Sequence, residues 1–451
     1  MIGKYELMLF SFLKYLQPTH YFTLPNRKGK FIYPRSSEIP EGVSNSLDID
    51  KKYTSVTARQ YDLSYQAIEK GYIGDAKRIN AVEKLPIVDE YRFVKKYFST
   101  FWYYYTFLIR LITLHNPIRE IHGFIRSIKV PRSSISVNHL KYSEWNLFDS
   151  KLLKANPKVS VIIPTLNRYE YLKDVLKDLE NQDYKNFDVI VIDQSDPFQR
   201  KFYENFTLDI KLHQQKEKAL WLARNHAVEL SDSDYLLLFD DDSRVKSNWI
   251  SQHLKCLDFF KADISSGVSI SIVGAEVPKN YAFFKHSSQL DTGNVMIKRK
   301  VFEAIGLFDR QYEKQRMGDG EYGLRAYLHG FKNISNPHAQ RLHLKVGVGG
   351  LRQMGSWDGF RPKKWFSPRP IPSVVYQFRK YYGTRMTIYS LLRLVPPSTL
   401  PYKYKGNKRL ILLAYLSLFL IWPLLLVQVI QSWNKASLKL KQGALIKKFQ
   451  P

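Results

Sequence analysis

Cysteine is almost missing from this chain: Cys256 is the only one in 451 residues. That excludes an intramolecular disulfide and any zinc or iron–sulfur site built from thiolates, and nothing obliges the chain to visit an oxidising compartment. Acidic residues are missing from residues 361–451, which hold 17 Lys and Arg and no Asp or Glu. Charge of either sign is missing from residues 410–434. A secretory leader is not expected, because the apolar run at residues 5–16 is interrupted by Glu6 and Lys14 and no small-residue cleavage site follows. Internal repeats and low-complexity tracts are also lacking, which excludes a solenoid and wholesale disorder.

What remains is an ordinary globular composition, 44% hydrophobic and 24% charged, with a high aromatic content of 14% that suits interfaces as well as core. The net charge of +28 is unevenly spread: residues 1–150 carry 22 basic and 14 acidic groups, and residues 151–360 carry 30 and 27. A nearly neutral middle is therefore flanked by cationic segments, and a cationic tail fits a polyanion, either nucleic acid or the anionic face of a membrane. The stretch LILLAYLSLFLIWPLLLVQVI inside that tail favours the membrane, since about 20 apolar residues suffice to cross the hydrocarbon. A buried core helix is the competing reading. Lys and Arg flank both ends, so charge leaves the orientation open, and Pro423 is expected to kink the helix. Nearer the N-terminus, an aromatic run at 98–115 is broken by Arg110. It is followed by Ile118, Ile121, Ile125 and Ile128 at helical spacing beside Arg119, Arg126 and Lys129. These read as helices suited either to a lipid surface or to packing on a neighbouring domain.

The expected organisation is a mostly helical region of unknown role at 1–150, an α/β domain at 156–360, a basic linker and helix at 361–409, a membrane-associated or transmembrane helix at 410–434, and a basic tail at 435–451. In the α/β domain, KVSVIIP (158–164), FDVIVID (187–193), LDIKLHQ (208–214) and DYLLLFD (234–240) read as strands, with helices over 168–180 and 219–230 between them. This alternation predicts a mostly parallel sheet with helices on both faces. Ligands of such sheets bind beyond the carboxyl ends of the strands, and polar groups cluster there: Thr165-Leu166-Asn167-Arg168, Asp193-Gln194-Ser195-Asp196 and Asp240-Asp241-Asp242-Ser243. Three successive carboxylates at a buried strand end repel one another unless a cation holds them, and oxygen donors of this kind suit Mg²⁺ or Mn²⁺. A solvated turn capping the next helix is the alternative.

These residues resemble a family-2 glycosyltransferase with the GT-A nucleotide-sugar fold, over about residues 158–352. VSVIIPTLNR, VIVIDQSD, ALWLARNHAV, YLLLFDDDS, DTGNVMIKRKVFEAIGLFD, GDGEYGLRAYLHGF and RLHLKVGVGGLR occur in the family's order. The resemblance implies a donor site for a nucleoside-diphosphate sugar made by Pro164, Thr165, Asn167, Arg168, Asp193, Ser195, Arg224, Asp240 and Asp241. It implies a Mn²⁺ or Mg²⁺ site in which Asp242 ligates directly, Asp240 contacts ribose or a metal-bound water, and His343 completes the surroundings. Asp319 aligns with the catalytic base. The Glu that usually precedes the base is Gly318 here, so Glu321 stays a second candidate. The Gly-rich stretch usual before Ala-Arg-Asn reads Lys218-Ala219-Leu220-Trp221. Gly347, Gly349 and Gly350 mark a loop expected to order on substrate binding, and Trp357 and Trp365 are candidates to stack on an acceptor. No Gln/Arg-x-x-Arg-Trp of processive synthases follows, which implies one sugar per encounter.

The expectation is thus a membrane-attached, inverting, metal-dependent enzyme with its catalytic domain facing the cytoplasm. Its partners would be an anionic membrane and a lipid-linked saccharide or other envelope glycan acceptor, without nucleic acid. A metal-dependent nucleotidyl-transferring or nucleic-acid-binding protein, and a non-catalytic glycan-assembly protein on the same fold, are the alternatives.

Overall fold

The apolar runs become strands within a residue or two of the positions expected. The structure, a computed structural model, describes residues 8–135, 138–271, 283–346, 350, 359–362, 364–401, 404, 407–416 and 418–450. Trp357, Gly347 and Gly349 lie outside them. The chain divides into two units, Met1–Leu140 with Phe378–Trp422, and Lys141–Gln377 with Pro423–Pro451.

In the second unit, β1 (Val159–Thr165), β2 (Phe187–Asp193), β3 (Ile210–Gln214) and β4 (Tyr235–Phe239) are separated by helices including Tyr169–Glu180 and Leu220–Leu230. Every residue of β1 is buried, as its unbroken β-branched run requires of a strand covered on both faces. Leu172, Val175, Leu176 and Leu179 form the fully buried stripe of the first helix. Next come β5 (Ser243–Val245), β6 (Ile264–Ser271), β7 (Lys285–His286), β8 (Asn294–Lys298) and β9 (Asn333–His343).

Among the described residues these form one nine-stranded sheet in the order β3-β2-β1-β4-β8-β6-β9-β5, with β7 paired to β9. β1 is parallel to β2 and β4, β2 to β3, and β6 to β9. β8 runs antiparallel to both β4 and β6, and β9 to both β5 and β7. The sheet is therefore mixed, which corrects the expectation of a mostly parallel one. The four strands legible in the sequence are the parallel half, and the later strands reverse direction beside them.

Two registers position the candidate site. Thr165 pairs with Asp193, so the loops after β1 and β2 leave the sheet at one level. Ser243 pairs with His343, which carries His343 beside Asp242 across 101 residues of sequence. Residues 443–450 lie along this unit rather than projecting from it. Leu307 N–H donates to Lys447 O (2.9 Å), Leu445 N–H donates to Asp309 Oδ1 (2.9 Å), and the Arg299 guanidinium sits 4.8 Å from the Phe449 ring centre.

The first unit is helical. Helices Val56–Glu69, Ile87–Tyr97, Thr100–Ile112 and Pro117–Ser127 surround an aromatic interior in which Phe10 stacks on Phe93 at 3.7 Å. The last of them starts where the sequence marks a start: Asn116 Oδ1 accepts from Arg119 N–H (3.1 Å) and Pro117 takes the first helical position. Buried charge is paired. Arg110 grips Glu120 at 2.6 and 2.7 Å, and Lys96 meets Asp62 at 2.7 Å.

The expected single helix over 410–434 is instead two, Lys408–Leu416 and Leu418–Gln442. Among the described residues no single helix is long and apolar enough to cross a membrane; the bent pair Arg409–Leu416 and Leu420–Gln442 meets that test by length and composition only. The bend precedes Pro423 rather than falling on it. Pro423 lies inside the second of these helices, where it lacks the N–H that would donate one turn back and its ring crowds that carbonyl.

Candidate active site

Three loops converge at the carboxyl ends of β1, β2 and β4. Pro164 is buried within β1, two residues after the pairing with β4 stops at Ile162, where its missing N–H leaves no gap in that ladder. Asn167 adopts φ +52°, a left-handed conformation that Asn tolerates. From there its N–H donates to Ser195 Oγ (2.7 Å) and its Oδ1 accepts from Asp196 N–H (2.9 Å). The loops after β1 and β2 are thereby joined. Asp193 is fully buried, and its oxygens accept from Ser195 N–H (2.8 Å) and from the hydroxyls of Tyr169 and Tyr203 (2.7 Å each). It braces the wall expected to hold the donor base.

The acidic run after β4 points inward. Asp241 accepts from Thr165 Oγ1 and Arg168 Nη1, both at 2.9 Å, and burial pushes its carboxyl up to about 6 despite Arg168. Asp240 is gripped at 2.8 Å by Arg224 Nη2 on one oxygen and by Arg341 Nη1 on the other. Burial alone would raise its pKa, but the two guanidiniums hold it below the usual carboxylate range. Asp242 Oδ1 lies 3.3 Å from His343 Nε2. Burial opposes its ionisation, yet the His343 hydrogen bond keeps its pKa below the ordinary value.

Asp240, Asp242 and His343 each offer a donor atom, all within 4.8 Å of one another. Asp242 Oδ2 is buried and makes no hydrogen bond, and its charged neighbour is Arg168 Nη1 at 3.1 Å. Carboxylate oxygens with one imidazole suit Mn²⁺ or Mg²⁺, with the remaining positions left to water and phosphate. The residues present therefore fit the ion.

Asp319 and Glu321 open helix Gly318–Leu328. Two residues apart on a helix means about 200° of rotation, so the two cannot serve one cavity. Glu321 is fully buried and paired with Arg325 (Nη2–Oε2 3.0 Å), whose Nη2 also donates to Leu307 O at 2.9 Å. Asp319 is half-buried and accepts from Gly320 N–H at 2.7 Å. Desolvation raises its pKa, Asp291 adds to the rise, and Arg316 and Arg224 oppose it. Arg224, itself buried over Trp221, feels both Asp240 and Asp319, which ties the candidate base to the charges at the end of β4.

The departures at Gly318 and Trp221 explain each other: a Cβ at Gly318 would lie 2.4 Å from the Trp221 indole. No larger residue fits before the candidate base while that indole is in place. Sequence reasoning missed Arg341 and Asp291, which form a second ion pair at 2.8 Å behind Asp240. Arg341 shares a strand face with His343 two residues on, and Asp291 opens the DTGN segment. Of the glycine loop, Gly350 is described; at φ +74° its N–H donates to Leu166 O (2.8 Å) and a Cβ would strike Arg168.

Residues 160–308 match the family model described as Glycosyl transferase family 2. The resemblance read from the motifs is thus shown over this segment. A glycosyltransferase of Streptococcus pneumoniae, GlyA, is 25% identical over 36% of this chain and 22% of its own length. The GalNAc(5)-diNAcBac-PP-undecaprenol beta-1,3-glucosyltransferase of Campylobacter jejuni is 31% identical over 38% of this chain and 58% of its own. The chain thus spans between about a fifth and three-fifths of these relatives. Among solved structures, a mannosyltransferase of Pyrobaculum calidifontis in complex with GDP-Man and Mn²⁺ is similar at TM-score 0.41 and 16% identity, over 66% of this chain and 91% of that one.

Proposed function

We propose that the chain is a metal-dependent, inverting glycosyltransferase. On this reading it moves one sugar per encounter from a nucleoside-diphosphate sugar to a lipid-linked saccharide or other envelope glycan, at the cytoplasmic face of an anionic membrane. The observation that carries the reading is the donor set of half-buried Asp240 with buried Asp242 and His343, whose donor atoms lie within 4.8 Å of one another at the end of β4. Asp242 and His343 hold Mn²⁺ or Mg²⁺ directly, and Asp240, already gripped by two guanidiniums, faces ribose or a metal-bound water. The ion supplies neutralisation of charge growing on the leaving diphosphate. Arg224 and Arg168 add fixed positive charge there, and the joined loops of Thr165, Asn167 and Ser195 with the braced Asp193 wall the base and ribose.

Asp319 takes the proton of the acceptor hydroxyl as that oxygen attacks the anomeric carbon from the side opposite the diphosphate. Burial raises its pKa, which makes it a stronger base than an exposed carboxylate. Glu321 is committed to Arg325, whose guanidinium also donates to the carbonyls of Ile305 and Leu307. The lipid-linked acceptor rests on the name of the Campylobacter relative and on the C-terminal helix. That helix buries Gln428, Ser432 and Ala436 and leaves Leu426, Val427 and Ile430 exposed, so its apolar side is available to lipid.

The test is a panel of nucleotide sugars scored for donor turnover with Mn²⁺ present, followed by Asp319→Asn and Asp242→Ala. Asp319→Asn is expected to lower turnover roughly 10²–10⁴-fold with donor binding retained, and Asp242→Ala to abolish Mn²⁺-dependent donor binding. Wild-type turnover in the first variant, or an unchanged Mn²⁺ titration in the second, refutes the assignment.

A further inference from the structure

Helix Pro117–Ser127 in the N-terminal unit is built inside out. It buries Glu120, Gly123 and Ser127, while Ile118, Ile121 and Ile125 are 77%, 46% and 62% exposed. A surface helix of a domain bathed in water shows the reverse. The orientation is locked from within. Glu120 accepts from Arg110 and from the Tyr91 hydroxyl (2.7 Å), and Ser127 Oγ donates to Val88 O (3.1 Å). A Cβ at Gly123 would come within 2.9 Å of Ile87 and Tyr91, so only glycine permits the approach. Rolling the helix to hide its isoleucines would break all of these contacts.

The helix before it is turned the same way: Thr100–Ile112 buries Tyr103, Thr106, Ile109 and Arg110 and leaves Tyr104, Leu108 and Ile112 exposed. Phe124 joins the two stripes, its ring 5.4 Å from Tyr104 and 4.3 Å from Phe107. In the turn between the helices, Leu114 is 93% exposed at φ +58°, a backbone region that Gly and Asn occupy more cheaply. The fold does not account for a leucine there.

The charge around this face has one sign. Glu120 is the only acid between residues 91 and 140, and Arg110 consumes it. Arg119, Arg126, Lys129 and Arg132 are exposed and enter no ion pair among the described residues.

We propose that this face seats the N-terminal unit in the headgroup–acyl boundary of an anionic bilayer. Isoleucine and leucine would enter the acyl edge, and the four cations would lie at the headgroups. A second copy is disfavoured because it would set cations against cations. The proposal depends neither on glycosyl transfer nor on the C-terminal apolar stretch.

The experiment uses the full chain carrying Ile121→Cys labelled with a polarity-sensitive fluorophore; Cys256 is fully buried and is not labelled under native conditions. Vesicles of phosphatidylcholine, with and without phosphatidylglycerol, carry brominated acyl chains. The expected result is a blue shift and bromine quenching on phosphatidylglycerol vesicles. Adding Arg126→Glu and Lys129→Glu should weaken that signal roughly a hundredfold while leaving thermal unfolding as in the parent. A label that keeps its water emission while the protein sediments with vesicles overturns the proposal, since the C-terminal stretch then holds the membrane alone. A blue shift without lipid, accompanied by a doubled mass in light scattering, assigns the face to a second copy and overturns it equally.

Discussion

Alanine at position 318 sets two known effects against each other. Gly318 opens a helix, where glycine to alanine normally stabilises by about 0.5–1 kcal/mol. The added Cβ, however, would lie 2.4 and 2.5 Å from Cζ2 and Cε2 of Trp221. That indole must retreat by about 1 Å to reach ordinary contact, and it is not free to do so. Its Nε1–H donates to Tyr312 O at 3.2 Å, its ring lies 5.2 Å from that of Phe308, and it is 4% exposed. Overpacking of this kind costs about 1–3 kcal/mol. The clash therefore wins, by a net of about 1–2 kcal/mol, which lowers Tm by about 2–8 °C for a unit of this size. Asp319 is the next residue, so the strain reaches the candidate base, and turnover should fall roughly 10- to 100-fold, as displacements near 1 Å do. Thermal unfolding and initial rates measure both quantities. Adding Trp221→Phe should restore part of each, giving a favourable coupling in the double-mutant cycle. A Gly318→Ala enzyme that melts at or above wild type and turns over normally refutes the coupling of these two positions.

Two further outcomes follow from buried polar groups. Glu120→Ala leaves Arg110 charged and without its 2.6 Å partner in the helical unit. It should destabilise that unit by about 3–5 kcal/mol, seen as early proteolysis of residues 1–140; unaltered resistance would contradict the assignment. His253 is fully buried, and burial depresses its pKa from 6.5 to about 4. Its Nε2–H donates to Asn294 Oδ1 (3.0 Å), and its Nδ1 accepts from Ser265 Oγ (2.9 Å). The folded state prefers the neutral ring, so the contribution is complete above pH 6.5 and is lost as pH falls toward 4, on the order of 3 kcal/mol in all. Denaturant unfolding of wild type between pH 7 and 5 should therefore slope more steeply than that of His253→Gln, and equal slopes would count against it.

The first half of the sheet was legible because β1, β2 and β4 are continuous apolar runs that stop at polar loops, a pattern that needs no knowledge of partners. β9 was not, since NISNPHAQRLH alternates too weakly to announce a strand, and its pairing with β5 is set by the chain as a whole. His343 was reached only through resemblance, and Arg341, on the same face two residues before it, was missed for the same reason. Asp193 was legible as a strand-end acid, but its two tyrosine partners lie on a helix and a turn whose approach no local pattern encodes. Glu321 against Asp319 was undecidable by spacing to a fixed motif, whereas helical geometry separates them at once. In the C-terminal stretch, composition gave the apolar length, and Pro423 announced a bent rather than a straight element, with the break falling a few residues before the proline.

Three adjacent carboxylates suggested that a cation must hold them, and in the folded chain the protein supplies most of that charge itself. Arg168 meets Asp241 and lies 3.1 Å from Asp242 Oδ2, while Arg224 and Arg341 neutralise Asp240. The strand end is therefore electrostatically tolerable without an ion, which narrows the ion's task on the proposed reading. Asp242 and His343 offer only two direct ligands, too few for tight octahedral binding by the protein alone. On that reading water and the diphosphate of the donor would supply the others, so ion and donor should bind together, each raising the apparent affinity of the other by the same factor. Arg168 is then more than a partner for Asp241. It lies where incoming phosphate charge would compete with two carboxylates for its guanidinium, and the close approach of Gly350 leaves no room for a side chain beside it.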